Sequence, residues 1–219
     1  MLHWFTLGEE RKALLKLIVD QMPLQGSYLA GGTGLALIIG HRESVDFDWF
    51  SPFEFDPEYL ARQLSHLKPF KINEAARGTL HGIIDNVRIT WLYYPNPVLD
   101  SFITSSSIPG LKLASLKDIG TMKLTALSHR GSAKDFIDLY KLREHGLDLE
   151  MLLKLMPYKF PGTSLNYYHI VKSLSYFDDA EAEPMPRMHV DLNWSDLKDF
   201  FLQEQVRLLE KKEQFNFRP

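Results

Sequence analysis

The 219-residue chain carries 25 basic and 28 acidic residues, a formal charge of −3, and 45% hydrophobic positions, which excludes disordered, collagen-like and charge-driven packaging proteins. Cysteine is absent, so disulfides, thiolate nucleophiles and cysteine-ligated metal centres are excluded as well. The longest apolar run, Leu35 to Ile39, has five residues against the ~20 that cross a bilayer, and the opening MLHWFTLGEERK does not read as a secretory leader, so a cytoplasmic protein is expected.

Thr6 with Glu9 has the spacing of a capping box, and Leu14, Leu15, Leu17, Ile18 and Met22 recur at helical spacing, predicting a helix over 7–22. Tyr28-Leu29-Ala30 reads as a strand stopped by Gly31-Gly32, with a helix from Thr33 to Ile39 and a second strand from Val45 to Phe50. Asp56 caps a predicted helix over 57–67. Three strands follow at 69–76, 79–84 and 87–94, turning at Arg77-Gly78 and Asp85-Asn86. Pro95, Pro97 and the serines at 105–107 indicate a loop, with a short strand at 111–114. Ser115 with Asp118 and Ser132 with Asp135 repeat the capping spacing and start helices at 116–129 and 133–145. Further helices are predicted at 148–156, 164–177 and 194–213, with the acidic, proline-bearing stretch 178–190 as a connector. The expected architecture is α/β (α+β): a mixed-sheet lobe over 1–114 and a helical lobe over 115–219.

The chemistry concentrates in YLAGGTGLALIIGHRESVDFDWF, residues 28–50. Strand residues two apart share a face, so Asp46 and Asp48 project together while Val45, Phe47 and Trp49 face the core. Two carboxylates on one face repel, and a hard divalent cation relieves the repulsion. Gly31 and Gly32 let the backbone approach a ligand closely, and the helix starting at Thr33 offers unpaired N–H groups to phosphate. Arg42 and Ser44 lie between turn and carboxylates and join the candidate nucleotide-binding set. An Asp-x-Asp alone is common at strand ends, and Gly-Gly before a helix is a weak signal. Their order, an anion cradle followed by a metal clamp on the neighbouring strand, is what phosphoryl or nucleotidyl transfer needs.

Charge divides along the chain. Residues 28–60 hold six acids against one arginine, whereas residues 111–143 hold seven bases against three acids. If the two stretches face each other, one holds metal and the other neutralises polyphosphate; taken singly, helical lysines are more often a solvated face. Lys123 borders the apolar stripe of its helix and stands apart from that group. His41, His81, His129 and His169 show no metal-ligand spacing and read as surface or hydrogen-bonded residues. Residues 152–177 combine Lys154, Lys159 and Lys172 with six aromatics, a stacking platform for RNA or, more often, simply core.

The stretch GGTGLALIIGHRESVDFDWF together with SLKDIGTMKLTALSHRGSAKDFIDLY resembles the AbiEii and MenT nucleotidyltransferase toxins of type IV toxin–antitoxin systems, within the polymerase-β-like superfamily, over roughly residues 25–145. The resemblance implies that Gly31, Gly32 and Thr33 form the nucleotide-binding turn, Asp46 and Asp48 bind Mg²⁺ (or Mn²⁺), and Lys123 contacts triphosphate. Lys134, Asp135 and Asp138 match the Lys-Asp-x-x-Asp signature, with Asp135 or Asp138 as base or second-metal ligand. It further implies a nucleoside triphosphate substrate, an RNA acceptor in some members, and a cognate antitoxin. One departure stands out: the superfamily's third carboxylate has no counterpart in VRITWLYY, where Arg88, Thr90 and Leu92 share a face. Asp85 and Asp138 are the substitutes considered. A catalytically silent nucleotide- or partner-binding module is the alternative, and a metal-dependent phosphohydrolase a poorer third reading, since Glu43, Ser44 and Val45 are not the long apolar strand that precedes its Asp-x-Asp.

Overall fold

Alternation of apolar and polar residues along the strands produces a mixed seven-stranded sheet of order β3-β4-β5-β2-β1-β7-β6 among the described residues. The computed structural model describes residues 1–211 and Phe215. It divides into two units, Met1–Asn96 with Ser101–Ser115, and Pro97–Asp100 with Leu116–Pro219.

In the first unit the order is α1 (Glu9–Gln21), β1 (Tyr28–Leu29), α2 (Gly31–Ile39), β2 (Phe47–Ser51), α3 (Pro57–Leu67), β3 (Lys71–Ala76), β4 (Thr79–Ile84), β5 (Val87–Tyr93), β6 (Ile103–Thr104) and β7 (Lys112–Leu113). Phe47 and Trp49 of β2, Leu80 and Ile84 of β4, and Val87, Ile89 and Trp91 of β5 bury one face of the sheet against Leu14, Leu15 and Ile18 of α1 and Leu60 and Leu64 of α3. Trp49 and Trp91 are register partners on parallel strands and stack at 5.0 Å, worth ~0.5–1.5 kcal/mol beyond their buried area. The opposite face therefore receives the polar partners in the alternation: Asp48, Thr90 and His81.

Several boundaries differ from the sequence expectation. The first helix starts at Glu9 behind a short 3₁₀ turn, because Thr6 Oγ1 donates to His3 O and not to the helix. The two glycines are not a turn ahead of the second helix but its first residues. Asp56 caps α3 as expected, accepting from Glu58 N and Tyr59 N. Strand β6 forms in the segment read as a loop.

The second unit comprises α4 (Leu116–Arg130), α5 (Ala133–Leu142), α6 (Leu149–Lys159), α7 (Tyr167–Ser173), α8 (Asp178–Ala182) and α9 (Trp194–Glu210). Helix α4 packs against α5, α6 and α7, and a Cβ on Gly120 would meet Leu152 Cδ2 at 2.6 Å, so a bare backbone is what lets α4 and α6 approach. Phe136, Phe177 and Phe201 form an aromatic cluster with centroid separations of 4.9 and 5.0 Å from Phe136. Helix α6 runs through Pro157, where a stop was expected, and α8 forms inside the acidic connector. The expected extension of the last helix to 213 falls outside the described residues.

Candidate active site

Ala30 N donates to Asp48 O at 3.1 Å, tying the start of α2 to β2. Gly31 has φ +61°, and a Cβ there would lie 2.5 Å from Asp48 Oδ2; a side chain would be strained and would displace the carboxylate. A Cβ on Gly32 would lie 2.6 Å from Arg42 Nη2 and 3.5 Å from Ser44 Oγ. The two glycines thus let a carboxylate and a guanidinium pack directly against the helix start. Thr33 is buried, its hydroxyl bonded to that of Ser44 at 2.7 Å and also donating to Asp46 O. Arg42 is 2% exposed and donates to Glu43 O at 2.9 Å. Gly31, Gly32, Thr33, Arg42, Ser44, Asp46 and Asp48 are therefore brought together, as the sequence order suggested.

The first N–H groups of α2 have no partner within the helix and carry its positive dipole end, so an anion fits there. Asp46 and Asp48 are both partly exposed beside it. No group of three or more histidine or acidic side chains suited to a metal occurs among the described residues. A pair of carboxylates nevertheless suits Mg²⁺, which keeps several waters and takes further oxygens from substrate phosphates.

The position opposite Asp48 on the neighbouring strand belongs to Thr90, so that strand places no carboxylate in register with it. Asp85 does not supply one: it sits in the β4–β5 turn, beyond the Ile84–Val87 pair, and is ion-paired with Lys68.

In the second unit, Lys123 Nζ lies 2.9 Å from Asp135 Oδ1 and 2.6 Å from Asp138 Oδ2, with all three side chains buried. Arg130 forks Asp135 from its exposed side, Nε to Oδ2 at 2.7 Å and Nη2 to Oδ1 at 3.0 Å. Burial alone would raise the pKa of Asp135, but the Lys123 charge and the Arg130 hydrogen bonds outweigh it and hold the carboxyl below its ordinary range. Both Asp135 oxygens are thus engaged by cations.

Lys134 is exposed whereas Asp138 is buried against Lys123, so the residues of the signature do not share one environment. One expectation for this block needs correcting. Ser132 makes no capping bond to α5. Glu183 takes over, accepting from Ser132 Oγ at 2.7 Å and Ala133 N at 3.1 Å, because Asp135 is committed to Lys123 and Arg130. Asp118, expected as a cap partner, instead forms a buried ion pair with Lys159 at 2.7 Å. That removes Lys159 from the proposed stacking platform, and Tyr167 and Phe177 are core, while Tyr158, Tyr168 and Tyr176 are exposed. Sequence reasoning missed Arg130 and the Lys159–Asp118 pair; an acid and a lysine flanked by core residues were the available signals.

A family model, nucleotidyl transferase AbiEii toxin of type IV toxin–antitoxin systems, matches residues 82–214, more than half of the chain. The chain belongs to the AbiEii family. This makes it an enzyme of the nucleotidyltransferase class. The matched span contains Lys123, Asp135 and Asp138 but not the Gly31–Asp48 cluster. An uncharacterized protein of Aquifex aeolicus strain VF5 is 35% identical over 207 residues, covering 93% of this chain and 98% of the relative. A suggested nucleotidyltransferase from H. pylori superposes with a TM-score of 0.56 at 18% identity, over 94% of this chain and 97% of that one. MenT4, a nucleotidyltransferase toxin of Mycobacterium tuberculosis H37Rv, gives 0.55 at 16% identity over 89% and 80% of the two chains. These two likenesses show a nucleotidyltransferase fold over nearly the whole length. No helix among the described residues is long and apolar enough to cross a membrane.

Proposed function

We propose that this AbiEii-family chain transfers a nucleotide from a nucleoside triphosphate to an acceptor hydroxyl, with RNA as the acceptor class, in the cytoplasm and under restraint by a cognate antitoxin. The observation that carries the reading is that a carboxylate, Asp48, and a guanidinium, Arg42, both pack against the start of α2, so closely that a Cβ on Gly31 or Gly32 would collide with them.

In this reading Asp46 and Asp48 hold Mg²⁺ or Mn²⁺. A divalent ion there supplies electrostatic stabilisation of phosphate oxygens as charge develops on them. The N–H groups of Gly31, Gly32 and Thr33 orient the triphosphate, and Arg42 adds a fixed positive charge that needs no reorganisation during the reaction. Thr33 and Ser44 hold the loop carrying Asp46 in place through their mutual bond. Lys123, the expected contact for triphosphate, has its ammonium between two carboxylates and serves to organise α4 and α5. Lys134, the cation of the signature, is exposed.

The test is incubation of the purified chain with each labelled triphosphate, Mg²⁺ or Mn²⁺, and total RNA. Label entering RNA with one preferred triphosphate is the expected result. Triphosphate binding with no label in any macromolecule would favour the silent binding module, the reading that Thr90 in place of an acid supports.

A further inference from the structure

Strand β5 pairs with β2 in parallel, and the first pair of that ladder is Phe47 with Ile89. Asp46 and Arg88 each stand one residue ahead of it, so they enter the ladder side by side, on strands ~4.8 Å apart. Val87, Ile89 and Trp91 belong to the core, which puts Arg88 on the outer face that also carries Asp48 and Thr90, and there it is exposed. Register continues the row outward: Arg88 pairs with Ile83 on β4, and Ile83 with Lys71 on β3. Partners in register share a face, so Lys71 lies on the same side as Arg88, two strand separations or ~10 Å away, with half-buried Ile83 between them. Neighbouring cations are committed, Lys68 to Asp85 and Arg77 to Glu54. Among the described residues the side chains of Arg88 and Lys71 have no hydrogen-bond or ion-pair partner. Glu74, also on this face, lies in the next row, with His81 Nε2 4.0 Å from its Oε2. Two unpaired cations thus form a row that starts beside the carboxylates and runs to the sheet edge.

We propose that this row is the docking surface for the acceptor, a single-stranded RNA whose phosphates meet Arg88 and Lys71. This rests on the nucleotidyl-transfer reading above and assigns the acceptor's side of it. The start of α2, where that reading seats the triphosphate, follows β1 and packs on Asp48, so it lies on the β1 side of the carboxylates. Strand β5 borders β2 on the other side. In an in-line displacement the entering oxygen and the leaving pyrophosphate occupy opposite sides of the α-phosphorus. With pyrophosphate on the β1 side, the acceptor hydroxyl enters from the β5 side, across the row. Arg88 then holds a phosphodiester near the attacking hydroxyl, and Lys71 one farther along the acceptor strand. A guanidinium and an ammonium hold phosphate without reading a base, so the row selects a polyanion and leaves sequence to other contacts. A small neutral alcohol would find nothing there to bind it.

Binding and transfer are measured separately, with a fluorescent single-stranded RNA oligonucleotide as the probe. Arg88→Gln/Lys71→Gln is expected to weaken RNA binding at least ~10-fold and to make the plot of log affinity against log salt shallower by ~1.4, two phosphate contacts at ~0.7 each. The melting temperature and the calorimetric affinity for Mg²⁺–triphosphate are expected to stay at the wild-type level, and the KM for RNA in the transfer assay to rise with the loss of binding. Arg88→Lys keeps the charge and should keep the salt slope, whereas Arg88→Gln alone should lose ~0.7 of it. A wild-type slope in the double variant would overturn the proposal, as would a loss of triphosphate affinity in place of RNA affinity. RNA binding is read without triphosphate, so the two readings fail separately. Normal RNA binding by the double variant, beside a wild type that labels RNA, removes this surface and leaves nucleotidyl transfer standing. The expected loss of binding, beside a wild type that labels no acceptor, removes transfer while the row stands as an RNA-binding surface.

Discussion

A Cβ on Gly31 would meet Asp48 Oδ2 at 2.5 Å, so the residue that opens α2 and the residue that marks β2 specify each other. Gly31→Ala should therefore do two things. The positive φ costs ~1 kcal/mol or more in stability, and the methyl group pushes the carboxylate off its position. Gly32→Ala lacks the φ penalty and meets only the far end of Arg42. Triphosphate affinity should fall in both, and melting temperature chiefly in Gly31→Ala. Unchanged affinity in Gly31→Ala, measured by calorimetry on protein shown to be folded, would remove the cradle from the site.

Asp46 and Asp48 are partly exposed and lie off the apolar core, so neutralising either should spare the fold. Asp46→Asn and Asp48→Asn are each expected to lower transfer at least ~100-fold per folded molecule. Triphosphate binding in the wild type should weaken in chelator and no longer do so in the double variant. Equal affinity with and without Mg²⁺ in the wild type would remove the metal clamp from the mechanism.

Much of the first site was legible because it is local. Tyr28 to Asp48 span one strand–helix–strand unit, and period-two alternation puts Phe47 and Trp49 inside and Asp48 outside; it fails at Val45, expected inside and in fact exposed, because β2 begins only at Phe47. The register that puts Thr90 opposite Asp48 and His81 beyond it depends on β2 pairing with β5, across an intervening helix and hairpin. No periodicity reveals such a pairing. In the second unit, capping spacings misled because the carboxylates of Asp118 and Asp135 had stronger partners in Lys159 and Arg130, forty-one and five residues away. A capping box competes with every cation the fold brings near, and a buried cation wins by the larger charge-assisted bond.

Acid should unfold the second unit in stages that two carboxylates account for. Hydrogen bonds from Lys154, Lys211 and Arg207 lower Glu150 from 4.5 to about 2, and Asp135 is lowered as described above. Both folded values lie below the unfolded ones, so each group contributes stability that is complete above its unfolded pKa and is lost as pH falls through the folded one. For Glu150 that window runs from 4.5 down to about 2. Glu150→Gln should be less stable than the wild type near neutrality and converge on it toward pH ~2, followed by thermal unfolding across the range. A constant gap between the two curves would show that the Lys154–Glu150–Arg207 tie between α6 and α9 acts by packing and not by charge.

The Lys159–Asp118 pair is the clearest case where structure and catalysis separate. Both side chains are fully buried at 2.7 Å, Lys159 also donates to Pro97 O, and Leu99 N donates to Asp118. Two charges withdrawn from water repay their desolvation poorly, and removing one leaves the other stranded at ~3–5 kcal/mol. Lys159→Met should cost that much. Asp118→Asn keeps the acceptor for Leu99 N while deleting the charge, so the double variant Lys159→Met/Asp118→Asn should be more stable than Lys159→Met alone, with a coupling of ~1.5 kcal/mol or more. Denaturant unfolding of the four proteins gives the cycle. Because neither residue belongs to the glycine–carboxylate cluster, transfer per folded molecule should be unchanged in the double variant. A simple sum of the two single effects would mean that Lys159 contributes packing and its bond to Pro97 O, with its charge neutral to the fold.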